Sequence, residues 1–264
     1  MTSSQSRLPL AIANLVGFAV VVVVNTLAIT VPLGGMSTGQ LSDLYPNLFV
    51  PAGLTFSIWG IIYILLGIYA IYGFVFSFRK SEPISSFMEK VGILFSITCL
   101  ANAGWIFSWQ YRVLPLSLGC MVVLLVVLVV IYNRLNVGSS SGGAPEKYMV
   151  HLPMSIYLGW ISIATIANIT TLLVYYKWNR FGIEEQVWAI IMMAIGILLG
   201  LLFLFYRKDI FYTLVIDWAV LGILLKRLAV DREATQGIIV TSIVGLCVLT
   251  VGIVVQIARG RVYR

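Results

Sequence analysis

The sequence predicts an all-α integral membrane protein, a bundle of about eight transmembrane helices with little chain outside the bilayer. Two observations carry this. Of the 264 residues, 60% are hydrophobic and only 10% are charged, against roughly 25% charged residues in an average soluble domain. So much apolar surface cannot be hidden in one aqueous core. The apolar residues also come in long runs. About 20 of them cross the hydrocarbon, where a helix satisfies its own backbone hydrogen bonds.

Eight such runs are read along the chain: Leu8 to Val31, Leu54 to Phe76, Val91 to Trp109, Pro115 to Tyr132, Met149 to Tyr175, Val187 to Tyr206, Ile210 to Leu225 and Gly237 to Ile257. The first follows Arg7 and contains small residues, as a signal peptide would, but it exceeds the roughly 7 to 15 residues of a signal core and reads as a retained helix. The seventh is the shortest. Between the runs lie breakers and charges: Pro32 with Gly34 and Gly35, Arg79 to Pro83, the glycine and serine stretch Gly138 to Gly143, and Lys177 to Glu185. None of these connections is long enough to fold as a soluble domain. Cys99, Cys120 and Cys247 all fall inside spans with no metal-binding or disulfide spacing.

Basic residues near span ends favour the cytoplasmic side. With eight spans, the side holding both termini carries eleven of the Lys and Arg residues and the other side six, among them Lys226, Arg227 and Arg232. A multi-pass protein of the cell membrane with both termini in the cytoplasm is expected. This bias accounts for the net charge of +7. No basic run interleaved with aromatics suggests nucleic acid.

Three spans carry stripes of aromatic, small and amide residues. Phe56, Trp59, Tyr63 and Gly67 fall at offsets 0, 3, 7 and 11, one face of a helix. Tyr157, Trp160, Ala164 and Asn168 repeat that spacing, Asn102, Trp105 and Trp109 follow 0, 3 and 7, and Asn14 and Asn25 lie eleven apart. Amides facing lipid tails would go unsatisfied, so the stripes should turn into the bundle. They are then either helix packing, with small residues for close approach and Asn bonds across helices, or the walls of a cavity for a planar or rigid apolar ligand.

These stripes sit in segments that resemble the tryptophan-rich sensory proteins and the related mitochondrial translocator proteins, the TspO/MBR family. The stretch Pro51-Ala52-Gly53-Leu54-Thr55-Phe56-Ser57-Ile58-Trp59, with Tyr63 four residues on, resembles the family's Pro-Pro-x-Trp-x-Phe segment followed by Trp and Tyr. Asn102-Ala103-Gly104-Trp105 is similar to its Asn-x-x-Trp, and Tyr157 to Asn168 resembles its fifth-helix series. Leu54 stands in place of the loop tryptophan, the Gly53 to Trp59 spacing is one residue shorter, and Ile156 stands in place of a Pro, with Pro153 three residues earlier. The resemblance covers about residues 8–172. It divides the chain into a five-helix membrane domain, 1–176, and an additional three-helix membrane segment, 177–264.

The resemblance implies a five-helix bundle whose pocket, closed by the first loop, binds porphyrins, haem precursors or sterol-like molecules. No cofactor is required, though a bound porphyrin or haem fits that picture. The implied ligand-binding residues are Phe56, Trp59, Tyr63, Asn102, Trp105, Trp109, Tyr157, Trp160, Ala164 and Asn168. The loop from 32 to 53 suits a lid, since its prolines and glycines preclude one continuous helix, while an ordinary connection stays open as the alternative. His151, the only histidine, could ligate haem or bond a carbonyl at the membrane boundary. Asp217, near the middle of the seventh span, is either a proton relay or a neutral structural acid, because a charged acid there costs from about 2.5 kcal/mol upward.

A receptor, sensor or carrier for a hydrophobic, flat ligand is therefore expected. The alternative is a proton-coupled secondary transporter using Asp217, although no internal repeat is visible. Neither a nucleophile elbow, a phosphate loop, metal spacing nor paired carboxylates points to an enzyme or a metal site. Only a porphyrin-degrading side activity, allowed by the resemblance, is left open. The partners expected are the lipid bilayer, a hydrophobic small molecule and a second copy of the chain in a homodimer.

Overall fold

The computed structural model describes residues 7–31, 33–78, 87–139 and 142–260. Each predicted span is helical. In chain order the helices are α1 Arg7–Thr30, α2 Thr38–Asp43, α3 Ile58–Phe76, α4 Phe87–Val91, α5 Leu94–Gln110, α6 Leu114–Leu135, α7 Ala144–Glu146, α8 Leu152–Tyr175, α9 Glu185–Tyr206, α10 Ile210–Val230 and α11 Gln236–Ala258. There is no strand among the described residues. A π-helical turn, Lys147–His151, joins α7 to α8. The expected breaker Pro32, the basic connection Arg79 to Pro83 and Ser140 with Ser141 lie outside the described residues.

Six helical segments are long and apolar enough to cross a membrane by length and composition: those ending at Thr30, Phe76, Leu135, Tyr175, Tyr206 and Ala258. The other two predicted spans differ from them for a physical reason. α5 has 17 residues, and α10 carries Asp217, Lys226 and Arg227. Both are interior helices. α5 packs between α1 and α6, and α10 packs against α8, α9 and α11. A helix shielded by its neighbours can be less apolar than one that faces lipid along most of its length.

Helix ends share one device. α5, α6, α8 and α9 are each followed closely by a residue in the left-handed region, namely Arg112, Asn136, Lys177 and Lys208, with φ of 59°, 54°, 52° and 57°. Each reverses the chain with an amide bonded back to the last turn, as in Val113 N–H to the Ser108 carbonyl (2.8 Å) and Trp178 N–H to the Leu173 carbonyl (3.0 Å). Three of the four residues are cationic, which suits the partial negative charge of a helix C-terminus.

The ends of the bundle can be assigned from contacts. Arg7 pairs with Glu89 (3.8 Å), Arg134 donates to the Lys90 carbonyl (3.5 Å), Arg207 bonds Asn133 and Asn136, and Gln256 donates to the Leu204 carbonyl (2.9 Å). These residues lie at the beginnings or ends of helices that all meet at one end, the one from which α1 departs. Loop 1, between α1 and α3, lies at the other end.

At the α1 end, a buried carboxylate joins the last three helices to the first five. Asp209 precedes α10 and accepts from the Phe211 and Tyr212 N–H groups (both 3.1 Å), which caps that helix. It also accepts from Tyr132 Oη of α6 (2.9 Å) and from Ser155 Oγ of α8 (2.7 and 2.8 Å). Burial pushes its carboxyl above the ordinary carboxylate range, against the lowering influence of these donors.

Candidate functional site

Helices α3, α5 and α8 turn their aromatic stripes toward one another. Trp59 is the centre. It stacks on Trp105 (ring centroids 5.3 Å apart) and on Tyr63 (5.5 Å), and meets Trp160 and Tyr157 edge-on at 6.1 and 6.3 Å. Trp105 continues the stack to Trp109 (6.3 Å), and Phe56 meets Trp160 edge-on at 6.0 Å. Such pairs contribute about 0.5 to 1.5 kcal/mol each beyond the area they bury. In a bilayer, where lipid tails are as apolar as the helices, specific ring contacts of this kind favour one packing over others.

A cavity of about 40 Å³ lies within this cluster. Seven of the ten expected residues line it: Phe56, Trp59, Trp105, Trp109, Trp160, Ala164 and Asn168. Tyr63, Asn102 and Tyr157 stand behind these walls. Loop 1 contributes Thr38, Ser42 and Pro51 to the lining, which spacing along helices could not reveal. Ile163, Ala167 and Thr171 of α8 complete it. They extend the stripe of α8 sideways and are ordinary apolar or small residues in sequence.

Of the two readings open for the amides, helix-to-helix bonding describes Asn102 and Asn168. Asn102 accepts from Asn25 Nδ2 (2.9 Å) and donates to Tyr157 Oη (3.2 Å). Asn168 accepts from Ser117 Oγ (2.9 Å) and donates to the Ala164 carbonyl (3.3 Å). Both thus tie helices together, Asn102 across α1, α5 and α8 and Asn168 across α6 and α8. Of the residues that line the cavity, Trp105 and Trp160 carry buried Nε1 donors without a partner among the described residues, and Tyr63 Oη behind the wall is likewise unpaired. Both indoles are buried, at 4% and 2% exposure.

Loop 1 closes the cavity and is fastened to the last three helices. Its 3₁₀ turn, Gly53–Ser57, begins with Ala52 N–H donating to the Gly222 carbonyl of α10 (2.9 Å). Trp218 Nε1 donates to the Thr55 carbonyl (3.0 Å), and Lys226 pairs with Asp43 (2.6 Å). The Thr55 side chain rests on Gly222, where any Cβ would collide with it. Further along, Leu48 N–H donates to Glu185 of α9 (3.2 Å). α2 is held by a capping box between Ser37 and Gln40. Leu54, where the resembled family has a tryptophan, is 66% exposed and turned away from the cavity.

Two remaining candidates lie elsewhere. Asp217 is half-buried at the α10–α11 contact, where Thr250 Oγ1 donates to Oδ2 (3.2 Å) while Oδ1 is buried without a partner among the described residues. His151 is buried in the π turn with Nε2 3.4 Å from Glu146. Neither lines the aromatic cavity. All three cysteines are unpaired, and no cluster suited to a metal ion occurs among the described residues.

No curated protein and no solved structure matches the chain. A family model described as TSPO-like protein does, over residues 11–255, which takes in both the aromatic cluster and the last three helices. With the match spanning nearly the whole chain, and with a helical membrane bundle around the residues that carried the resemblance, the chain belongs to the TSPO-like protein family.

Proposed function

We propose that the protein is a membrane receptor, sensor or carrier, and that its aromatic cavity takes a hydrophobic, flat ligand of the tetrapyrrole or sterol class. Membership of the TSPO-like family supports membrane-associated ligand binding or sensing. The observation that carries the finer reading is the pair of buried, unpaired indole donors, Trp105 and Trp160, in a wall of stacked rings. Buried donors without partners are uncommon, because each costs about 1 to 3 kcal/mol when unsatisfied. A ligand with polar groups on a flat apolar body satisfies both the donors and the rings.

At about 40 Å³ the cavity is far below the roughly 300 to 1,000 Å³ of small-molecule sites. Entry therefore requires loop 1 to withdraw, and the bonds from Trp218, Gly222, Lys226 and Glu185 set how readily it does so. The test is titration of the detergent-solubilised protein with protoporphyrin, haem and cholesterol, followed by tryptophan emission. Trp105→Ala and Trp160→Ala should each weaken binding by about 2 kcal/mol, near thirtyfold, as interface hot spots do. Trp178→Ala and Trp188→Ala, outside the cluster, should not. Equal affinity of all four variants would refute the assignment.

A second reading, proton-coupled transport, rests on the unpartnered Oδ1 of Asp217 in the middle of α10. Asp217→Asn should then abolish proton-dependent uptake in vesicles while leaving ligand binding intact. Both termini are proposed to be cytoplasmic, since the end of the bundle that carries Arg7, Lys90, Arg134 and Arg207 is the more basic. Reporters active only in the cytoplasm, fused to each terminus, should both give signal.

A further inference from the structure

A second, wider cavity lies outside the aromatic cluster. It is a cleft of about 460 Å³ between the C-terminal half of α8 and the N-terminal half of α9, walled on the third side by loop 1. That volume is within the range of small-molecule sites. Its walls are apolar, formed by Leu48, Phe49, Leu173, Val174, Ala189 and Met192.

The polar groups of the lining are nearly all engaged within the protein. Asn47 shapes loop 1, donating to the Tyr45 carbonyl and accepting from Phe49 and Val50. Thr170 donates to the Ile166 carbonyl, Asn179 accepts from Phe181 N–H, and Trp188 Nε1 donates to the Arg180 carbonyl (2.8 Å). Glu185 accepts from Leu48 N–H and lies within electrostatic reach of Arg227. Two cations, Lys177 and Arg180, line the cleft without a carboxylate partner among the described residues. Arg180 donates through Nε to the Ile183 carbonyl (3.4 Å) and keeps its terminal guanidinium nitrogens for a ligand.

The turn that carries them is held in a costly form. Lys177, Arg180 and Phe181 are all left-handed, with φ of 52°, 57° and 56°, a conformation that non-glycine residues adopt only when their surroundings enforce it. The Trp178 ring, packed on Phe181 (5.1 Å) and Trp188 (5.2 Å), provides that enforcement. Lys177 is explained in part as the residue that terminates α8. Arg180 is not, since no helix ends there.

An apolar slot that ends at two cations and a tryptophan pair has the polarity profile of the membrane boundary, where indoles and basic side chains sit at headgroup level. We propose that this cleft binds an anionic amphiphile, with its apolar body between α8 and α9 and its carboxylate or phosphate head held by Lys177 and Arg180. The site is separate from the aromatic cavity and stands whether or not that cavity binds a flat ligand.

The test uses the full chain in nanodiscs of neutral phosphatidylcholine, with dibrominated stearate as a quencher of tryptophan emission and dibrominated stearyl alcohol as the same chain without charge. Stearate should quench saturably, with an affinity about tenfold above that of the alcohol. Replacing Trp178 and Trp188 together by Phe should remove the saturable signal, whereas Trp105→Ala should leave it. The double variant Lys177→Gln and Arg180→Gln, two exposed sites whose replacement spares the packing, should erase the tenfold preference. Ala189→Phe should block acid and alcohol alike. In a second arm, nanodiscs containing brominated phosphatidylglycerol replace the free acid. Saturable, cation-dependent quenching there and not with stearate assigns the head to a bilayer phosphate rather than a free carboxylate. Equal affinity for acid and alcohol together with no cation-dependent quenching by phosphatidylglycerol, or a preference unchanged in the double variant, overturns the proposal.

Discussion

The first five long helices and the last three are joined by different materials. Between α3, α5 and α8 the contacts are rings and amides: Trp59 on Trp105, Asn102 on Asn25 and Tyr157, Asn168 on Ser117. Among α8, α9, α10 and α11 they are glycines received by aliphatic side chains. Gly159 faces Val215, Gly196 faces Ile163, and Gly200 faces Leu249 and Ile216. Close approach of small residues gives tight dispersion contact at those crossings, and a cleft opens only beyond them, between α8 and α9 beside loop 1, whereas the stacked rings enclose a small cavity and two unpaired indole donors. The contrast teaches a division of labour. Helices α9 and α10 hold loop 1, while the polar and aromatic interior of the first five encloses the small cavity.

The largest effect should come from cutting the knot between the two regions. Asp209→Ala leaves Ser155, Tyr132 and the first amides of α10 without their acceptor, which should lower stability by roughly 3 kcal/mol or more. Thermal unfolding in detergent measures it, and a loss below 1 kcal/mol would mean that the two regions are joined elsewhere. The next effect concerns the lid. Gly222→Ala places a methyl where Thr55 now lies and should cost about 1 to 3 kcal/mol. It should also raise the acrylamide quenching of Trp59, Trp105 and Trp160. Unchanged quenching would show that loop 1 does not control the cavity.

A pH effect follows from the same knot. Because the folded state raises the Asp209 carboxyl above its unfolded value, the folded protein holds that proton more tightly. Stability from this group is therefore greatest below the unfolded pKa and falls as pH rises through the folded one. The unfolding midpoint of the wild type should decline across that window, and Asp209→Asn should flatten the decline. An unaltered slope would place the titration in another group. The smallest effect is predicted for Asp217→Asn. Thr250 can still donate to the amide oxygen, and stability should change by less than about 1 kcal/mol. A large loss would make Asp217 a second structural knot.

These two aspartates also measure how far the sequence could be read. Asp217 attracts attention because it interrupts an apolar run, whereas Asp209 sits beside Arg207 and Lys208 and reads as one more loop charge. In the fold, Asp209 is fully buried and bonded to three helices, and Asp217 is half-buried with one partner. Likewise the stripes placed Trp59, Trp105 and Trp160 on inward faces, and those rings do meet. Offsets along a helix could not show that Asn102 and Asn168 are bonded within the protein, nor that Trp178 and Trp188 line the cleft between α8 and α9.

The sequence by itself determined the integral membrane character, the helical class, the order of the helices and the inward face of the three that carry aromatic stripes. A chain in hydrocarbon must satisfy its backbone locally, so run length and 3.6-residue periodicity carry that information. Which groups meet was decided only by the tertiary structure. Tyr132 reaches Asp209 across 77 residues, Leu48 reaches Glu185 across 137 and Asp43 reaches Lys226 across 183. Such contacts depend on how helices lean and pack against one another, which no local pattern encodes. The lid, the knot and the cleft between α8 and α9 therefore emerge only when all the helices are in place.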